Sequence, residues 1–170
     1  MSHRRAEPVE VIDYDPTWPE EFERLKSRIL AALGDHVLRV EHVGSTAVPG
    51  LAAKPSVDLY AVVKDMDEAT RFLRALGYVP EGELGVPGRL GIGWPEGEER
   101  HHLYICSPDH VGLETVVRFR DYMRTHVRQA DEYADLKREL AGRCRDDRDA
   151  YAAGKSTFIA AILERAERLQ

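Results

Sequence analysis

The chain has 170 residues, and its formal net charge of −6 disfavours non-specific nucleic-acid binding, which rests on neutralising phosphates. A hydrophobic content of 43% suffices for a continuous core, and 32% charged residues with both signs interspersed make an ordinary soluble surface. The length fits one domain, residues 1–170, since no interior stretch reads as a linker.

The start, Met1-Ser-His-Arg-Arg, is basic but runs into Ala-Glu-Pro-Val-Glu rather than an apolar segment, which argues against a signal peptide. No apolar run approaches the length that spans a bilayer, so no membrane partner is expected. Cys106 and Cys144 lie far apart and form neither a CxxC pair nor a Cys/His ligand spacing. A reducing, cytoplasmic setting is expected.

In chain order, Asp15-Pro-Thr-Trp-Pro19 is a helix-start signal, and Phe22, Leu25, Ile29, Leu30 and Leu33 follow at helical spacing until Gly34 supplies the stop. Val37 to Val43 alternates apolar and polar residues and predicts a strand running into Gly44-Ser45. Val57 to Val63 is short, apolar and β-branched at both ends, as a strand buried in a sheet should be. Asp65 to Leu76 predicts a helix capped by Asp65, with Glu68 three residues on and Gly77 as its stop.

Tyr78 to Pro95 is dense in glycine and proline and predicts one or two strands broken by loops; His101 to Cys106 is a further strand. From Leu113 to Leu169 the pattern is helical, in roughly three helices interrupted near His126 and near Asp146 to Asp149. The class is α/β: a small mixed sheet flanked by helices, with a helical C-terminal third.

The segment from His42 to Tyr60 carries the chemistry. It joins two predicted strands through a Gly-Ser turn and places a carboxylate, Asp58, inside an apolar strand. Burying an unpaired carboxylate is costly, so Asp58 should meet a metal, several donors, or a cation such as Arg39 or Lys54. Gly44 lets backbone N–H groups approach a ligand and Ser45 adds a hydroxyl, the makings of a phosphate cradle. The bland alternative is a tight turn in which Ser45 caps a short helical turn at Thr46-Ala-Val. Ser45 and Asp58 are separated by twelve residues, near the spacing of the Gly-Ser then Asp-x-Asp signature of the nucleotidyltransferase fold.

Around this core, Lys54 precedes Pro55 on an extended entry to the strand, where it is either a phosphate ligand or a solvated loop lysine. Strand histidines such as His42 and His102 are more often structural than catalytic, but His101 and His102 point to opposite faces, so one of them faces the pocket. Arg120 is a candidate anion clamp, while Arg118 and Asp121 sit at the spacing of a surface pair. Gly154-Lys155-Ser156 looks like the end of a Walker A motif but has no glycine-rich loop before it; Lys155 is a helix residue that reaches the cleft or solvent.

Tyr14-Asp-Pro-x-Trp18, the run from Glu41 to Pro55, His101-His-Leu, Phe119-Arg-Asp-Tyr122, Tyr133 with Leu136 to Leu140, and Tyr151 with Lys155-Ser156-x-Phe158 together resemble the GrpB family over nearly the whole chain. The resemblance implies a nucleotidyltransferase-like fold of the polymerase-β superfamily, with no defined reaction. It leads to the expectation of a Mg²⁺-dependent transferase acting on a nucleotide or other phosphorylated small molecule. Asp58 would hold the metal with help from Glu114, Gly44 and Ser45 the phosphates, and Lys54 or Arg120 the developing charge; His102 and Lys155 complete the expected substrate contacts.

Two departures weaken that expectation. Tyr60 stands in place of the superfamily's second carboxylate, and Tyr104 where the family pattern has a second histidine; a phenol of pKa about 10 is a poor metal ligand at neutral pH. The alternatives are a catalytically silent nucleotide- or metabolite-binding domain, and an interaction module for a partner enzyme, since some GrpB domains are fused to dephospho-coenzyme A kinase.

Overall fold

The structure, a computed structural model, describes residues 8–169, so the basic start at Met1 to Arg5 lies outside the described residues. Helix α1 (Trp18–Leu33) buries Trp18, Phe22, Leu25, Ile29 and Leu33 along one stripe. Leu30, expected on that stripe, is 40% exposed, because it stands about 100° around the helix from Ile29. Strands β1 (Val37–Val43) and β2 (Val57–Val63) have the predicted bounds. In α2 (Met66–Ala75), Asp65 caps the start by accepting from the Glu68 amide at 2.8 Å. Glu68 turns its own carboxylate to His36 at 3.1 Å and Arg71 at 3.4 Å.

The glycine-rich stretch yields two strands, β3 (Val79–Gly82) and β4 (Arg89–Gly93), followed by β5 (His101–Cys106). The sheet order is β1-β2-β5-β4-β3; β2 and β5 run parallel and every other pair antiparallel. Because side chains alternate along a strand, the two faces have different contents. Val57, Leu59, Ala61 and Val63 of β2, with Leu103 and Ile105 of β5, share the main core with α1 and α2. The opposite face presents Asp58, Tyr60 and Val62 of β2 and His102, Tyr104 and Cys106 of β5. Only part of it is covered, by Leu113, Val116 and Val117 of α3.

The C-terminal part holds α3 (Val111–Thr125), α4 (Val127–Arg143), α5 (Arg148–Gly154) and α6 (Ser156–Glu167), so the described residues carry one helix more than expected. The breaks foreseen near His126 and Asp146 are present; the additional one falls at Lys155, whose amide bonds back to the Ala152 carbonyl in a tighter turn. These helices pack around Val48, Leu51 and Ala52 of the β1–β2 connection, forming a second core. That connection is therefore held between sheet and helices, and a cleft opens beside it.

Candidate functional site

The cleft has a volume of about 1280 Å³, and Gly44, Ser45, Lys54, Asp58, His102 and Lys155 all line it. Sheet register makes the juxtaposition. Val43 is the partner of Asp58 across β1 and β2, and Asp58 is the partner of His102 across β2 and β5, so three neighbouring strands deliver the Gly-Ser turn, a carboxylate and an imidazole in one row. Gly44 has φ +74°, and a side chain there would collide with Asp58 Oδ2, so backbone conformation and close approach both demand glycine. Ser45 opens a short 3-10 turn, Ser45–Ala47, in which no side chain caps the start, contrary to the capping role considered for Ser45.

The Asp58 carboxylate is bound by His102, whose Nδ1 donates to Oδ1 at 2.6 Å. Burial pulls the Asp58 pKa up, but the His102 hydrogen bond and the charges of Lys54 and Lys155 more than offset it and hold the carboxyl below its usual range. The two cations named from the sequence stand differently toward it. Arg39 pairs with Glu41 at 3.6 Å and Glu114 at 3.1 Å, and Lys54 acts on Asp58 through its charge.

Two expected site residues lie elsewhere. Glu114, on α3, is 64% exposed at its side chain, pairs with Arg39 and does not line the cleft, because the first turn of α3 sits over the far end of the sheet. Arg120 is buried: it donates to Glu41 at 2.7 Å, to the His42 carbonyl at 2.8 Å and to Asp121 at 2.8 Å, fastening α3 to β1. With its donors committed there, it faces no ligand in the cleft. Arg118 pairs with Glu167 at 3.2 Å rather than with Asp121.

His42 and His101 do not line the cleft. His42 shares a hydrogen bond with Thr46 Oγ1 at 2.9 Å and stacks on Phe22, and burial pushes its pKa down to about 4. His101 lies between Tyr78 at 3.0 Å and the Glu99 carbonyl at 2.8 Å on the α1 and α2 side, also depressed by burial to about 4. His102 is the member of the pair that faces the cleft, with Trp94 beside it at 6.1 Å between ring centres.

The sequence reading missed Lys137. This α4 residue is 2% exposed, and its Nζ donates to Ser45 Oγ at 2.9 Å and to the Ala52 carbonyl, over the face of Tyr133. Among the described residues no carboxylate is bonded to it. Burial, followed by the charges of Lys155 and Arg138, brings its pKa down to about 7. Lys155 follows, lowered to about 8 by burial and Lys54 while Asp58 partly restores it. A signal existed: Ala130, Tyr133, Ala134, Lys137 and Leu140 form the buried stripe of α4, and a lysine on such a stripe calls for a partner. The cleft also carries Arg148 together with Glu81, Glu96 and Asp149, so both signs of charge line it, with Lys54, Lys137 and Lys155 on the side of Ser45.

A resident divalent ion of the superfamily type is a poor fit to these donors. Asp58 Oδ1 is already engaged, and Tyr60, at the position of the second carboxylate, is 2% exposed and accepts from Arg89 Nη1 at 2.8 Å. Burial raises the Tyr60 pKa, which keeps the phenol neutral. Among the described residues no group of three or more His, Cys, Asp or Glu is placed to hold a metal ion.

The GrpB protein family model matches residues 8–165. The chain is 34% identical to UPF0157 protein YqkA of Bacillus subtilis over 94% of its own length and 48% of that protein, so it spans about half the length of that relative. It is 29% identical to a dephospho-CoA kinase of Mycolicibacterium paratuberculosis, over 94% of this chain and 46% of that one. The crystal structure of conserved protein GrpB from Enterococcus faecalis superposes with a TM-score of 0.84 at 34% identity, covering 92% of this chain and 96% of that one. No helix among the described residues is long and apolar enough to cross a membrane.

Proposed function

The chain belongs to the GrpB family, and from the geometry of its cleft we propose that it binds a nucleotide or a closely related phosphorylated small molecule, as the donor of a nucleotidyl or phosphoryl group. One observation carries the reading: Lys137, Lys155 and Lys54 gather at the Gly44-Ser45 turn of an otherwise acidic protein, and Lys137 bonds Ser45 directly. Ammonium groups gathered beside a Gly-Ser turn are the donor set that a phosphate chain requires. Trp94 lines the same cleft and offers a ring against which an aromatic base can lie, whereas the rings of Tyr104, Tyr133 and Tyr151 are already met by Arg89, Lys137 and Lys155.

Magnesium in this reading arrives with the nucleotide's phosphates rather than residing on the protein, because Asp58 is already bonded to His102 and Tyr60 stands in place of a second carboxylate. Tyr60 favours a second reading, a nucleotide-binding domain of the same fold without turnover.

The test is calorimetric titration with ATP, GTP, CTP, UTP and inorganic pyrophosphate, on the wild type and on Lys137→Met and Ser45→Ala. Saturable binding of at least one nucleotide, weakened about tenfold or more in Lys137→Met, is expected, as for the loss of one charge-assisted hydrogen bond. Absence of binding by all five ligands refutes the reading.

A further inference from the structure

We propose that His102 is the proton acceptor of this cleft, positioned by Asp58 to activate the hydroxyl that attacks the bound nucleotide, so that Asp58 serves the chemistry through an imidazole rather than through a metal. The inference rests on the nucleotide reading and adds to it a catalytic base.

Geometry carries it. Asp58 and His102 are register partners on adjacent parallel strands, and their side chains emerge on the same face at the same level. A carboxylate can only accept, so the 2.6 Å contact with Nδ1 fixes that nitrogen as the donor and leaves the lone pair on Nε2. The ring lines the cleft with its side chain 11% exposed, on β5, with only β2 and its Asp58 between it and the β1 end that carries the Gly44-Ser45 turn. Asp58 is fixed in turn by the close approach of Gly44, so the pair is oriented by backbone on one side and sheet register on the other. An imidazole held by a carboxylate next to an anion cradle is the arrangement of a general base.

In the step itself, the acceptor's hydroxyl proton passes to His102 Nε2 as its oxygen forms a bond to the α-phosphorus. The bond from the α-phosphorus to the oxygen bridging to the β-phosphate breaks, and pyrophosphate leaves with that electron pair. The imidazolium then returns its proton to pyrophosphate or solvent. Lys137 and Lys155 stand where charge accumulates on the leaving group.

The experiment measures pyrophosphate release from the Mg²⁺ complexes of ATP, GTP, CTP and UTP, with water, glycerol and glucose as acceptors, alongside calorimetric binding. Wild type, His102→Gln and His102→Ala are compared. The expected result is nucleotide binding within about twofold of wild type in His102→Gln and a loss of about 100-fold or more in release rate, the range for a removed general base. Added imidazole should partly restore His102→Ala by occupying the space beside Asp58, which a purely structural histidine would not allow. Release by His102→Gln within about tenfold of wild type, absence of imidazole rescue, or failure of both variants to fold overturns the proposal. Wild type that binds a nucleotide but releases no pyrophosphate overturns it too, while leaving the binding reading intact. Failure of binding in calorimetry overturns the binding reading itself, and this inference with it.

Discussion

Lys137 Nζ lies 2.9 Å from Ser45 Oγ across 92 positions of sequence, so a buried helix lysine and the Gly-Ser turn form a single polar unit. Replacing Lys137 by Met keeps the aliphatic bulk under Tyr133 and removes a buried amine to which no carboxylate among the described residues is bonded. Nucleotide affinity should fall about tenfold or more while the melting temperature holds or rises, since exchanging an unpaired buried charge for an apolar group is often neutral or stabilising. Thermal denaturation and calorimetry on the same samples check both halves; a large drop in melting temperature would show that Lys137 is needed for the fold.

The two depressed lysines give the site a definite pH dependence. Lys137 and Lys155 have folded pKa values of about 7 and about 8, below the 10.5 of a free lysine. Between those values and 10.5 the unfolded chain binds more protons than the folded one, so these groups penalise folding fully at low pH and the penalty is relieved as pH rises. Anion binding runs the other way, because the amines lose their charge over the same interval. Nucleotide affinity is expected to weaken from about pH 6 to about pH 9 while this contribution to stability increases. Calorimetry and urea denaturation across that range should show the opposed trends; affinity that is flat with pH would count against the lysines as phosphate ligands.

Gly44→Ala tests the turn. The substitution asks a non-glycine residue to hold φ +74° and to share space with Asp58 Oδ2. A destabilisation of about 1–3 kcal/mol is expected, together with displacement of the Asp58 carboxylate and loss of nucleotide binding. An unaltered denaturation midpoint would mean that the turn relaxes at no cost.

Asp58→Asn separates a metal role from a positioning role. The side chain keeps its shape and an oxygen that can accept from His102 Nδ1, but loses the charge that a hard divalent ion requires. Nucleotide binding should persist, since a negative charge next to the phosphates has been removed, and turnover should fall. Binding that is Mg²⁺-dependent in wild type and vanishes in the mutant would restore a metal to this carboxylate.

Arg120→Met should cost about 3–5 kcal/mol of stability, because Glu41 and the His42 carbonyl lose a buried cationic partner, and should leave nucleotide affinity near that of wild type. Equilibrium denaturation with parallel calorimetry distinguishes this from an anion clamp, whose loss would weaken binding with little effect on stability.

Local sequence was enough for the strand bounds of β1, β2 and β5, for the Asp65 cap of α2 and for the Gly44-Ser45 turn, because alternation, capping chemistry and positive-φ glycines act over a few residues. It was enough too to bring Ser45 and Asp58 to one cleft, through the spacing of the Gly-Ser-to-Asp run, while Lys54 and Lys155 stood between cleft and solvent and either His101 or His102 could face it. What it left open was the pairing. Only the parallel register of β2 on β5 sets His102 beside Asp58, and only the packing of α4 against the β1–β2 connection brings Lys137 to Ser45. Arg120 and Glu114 carried the same charges in the sequence that they carry in the fold, but the placement of α3 turns one into a fastening between α3 and β1 and leaves the other on the surface. Charge and hydrogen-bonding capacity belong to single residues and are legible in a chain; which partner satisfies them depends on contacts between positions far apart in sequence, and those exist only once sheet and helices have packed.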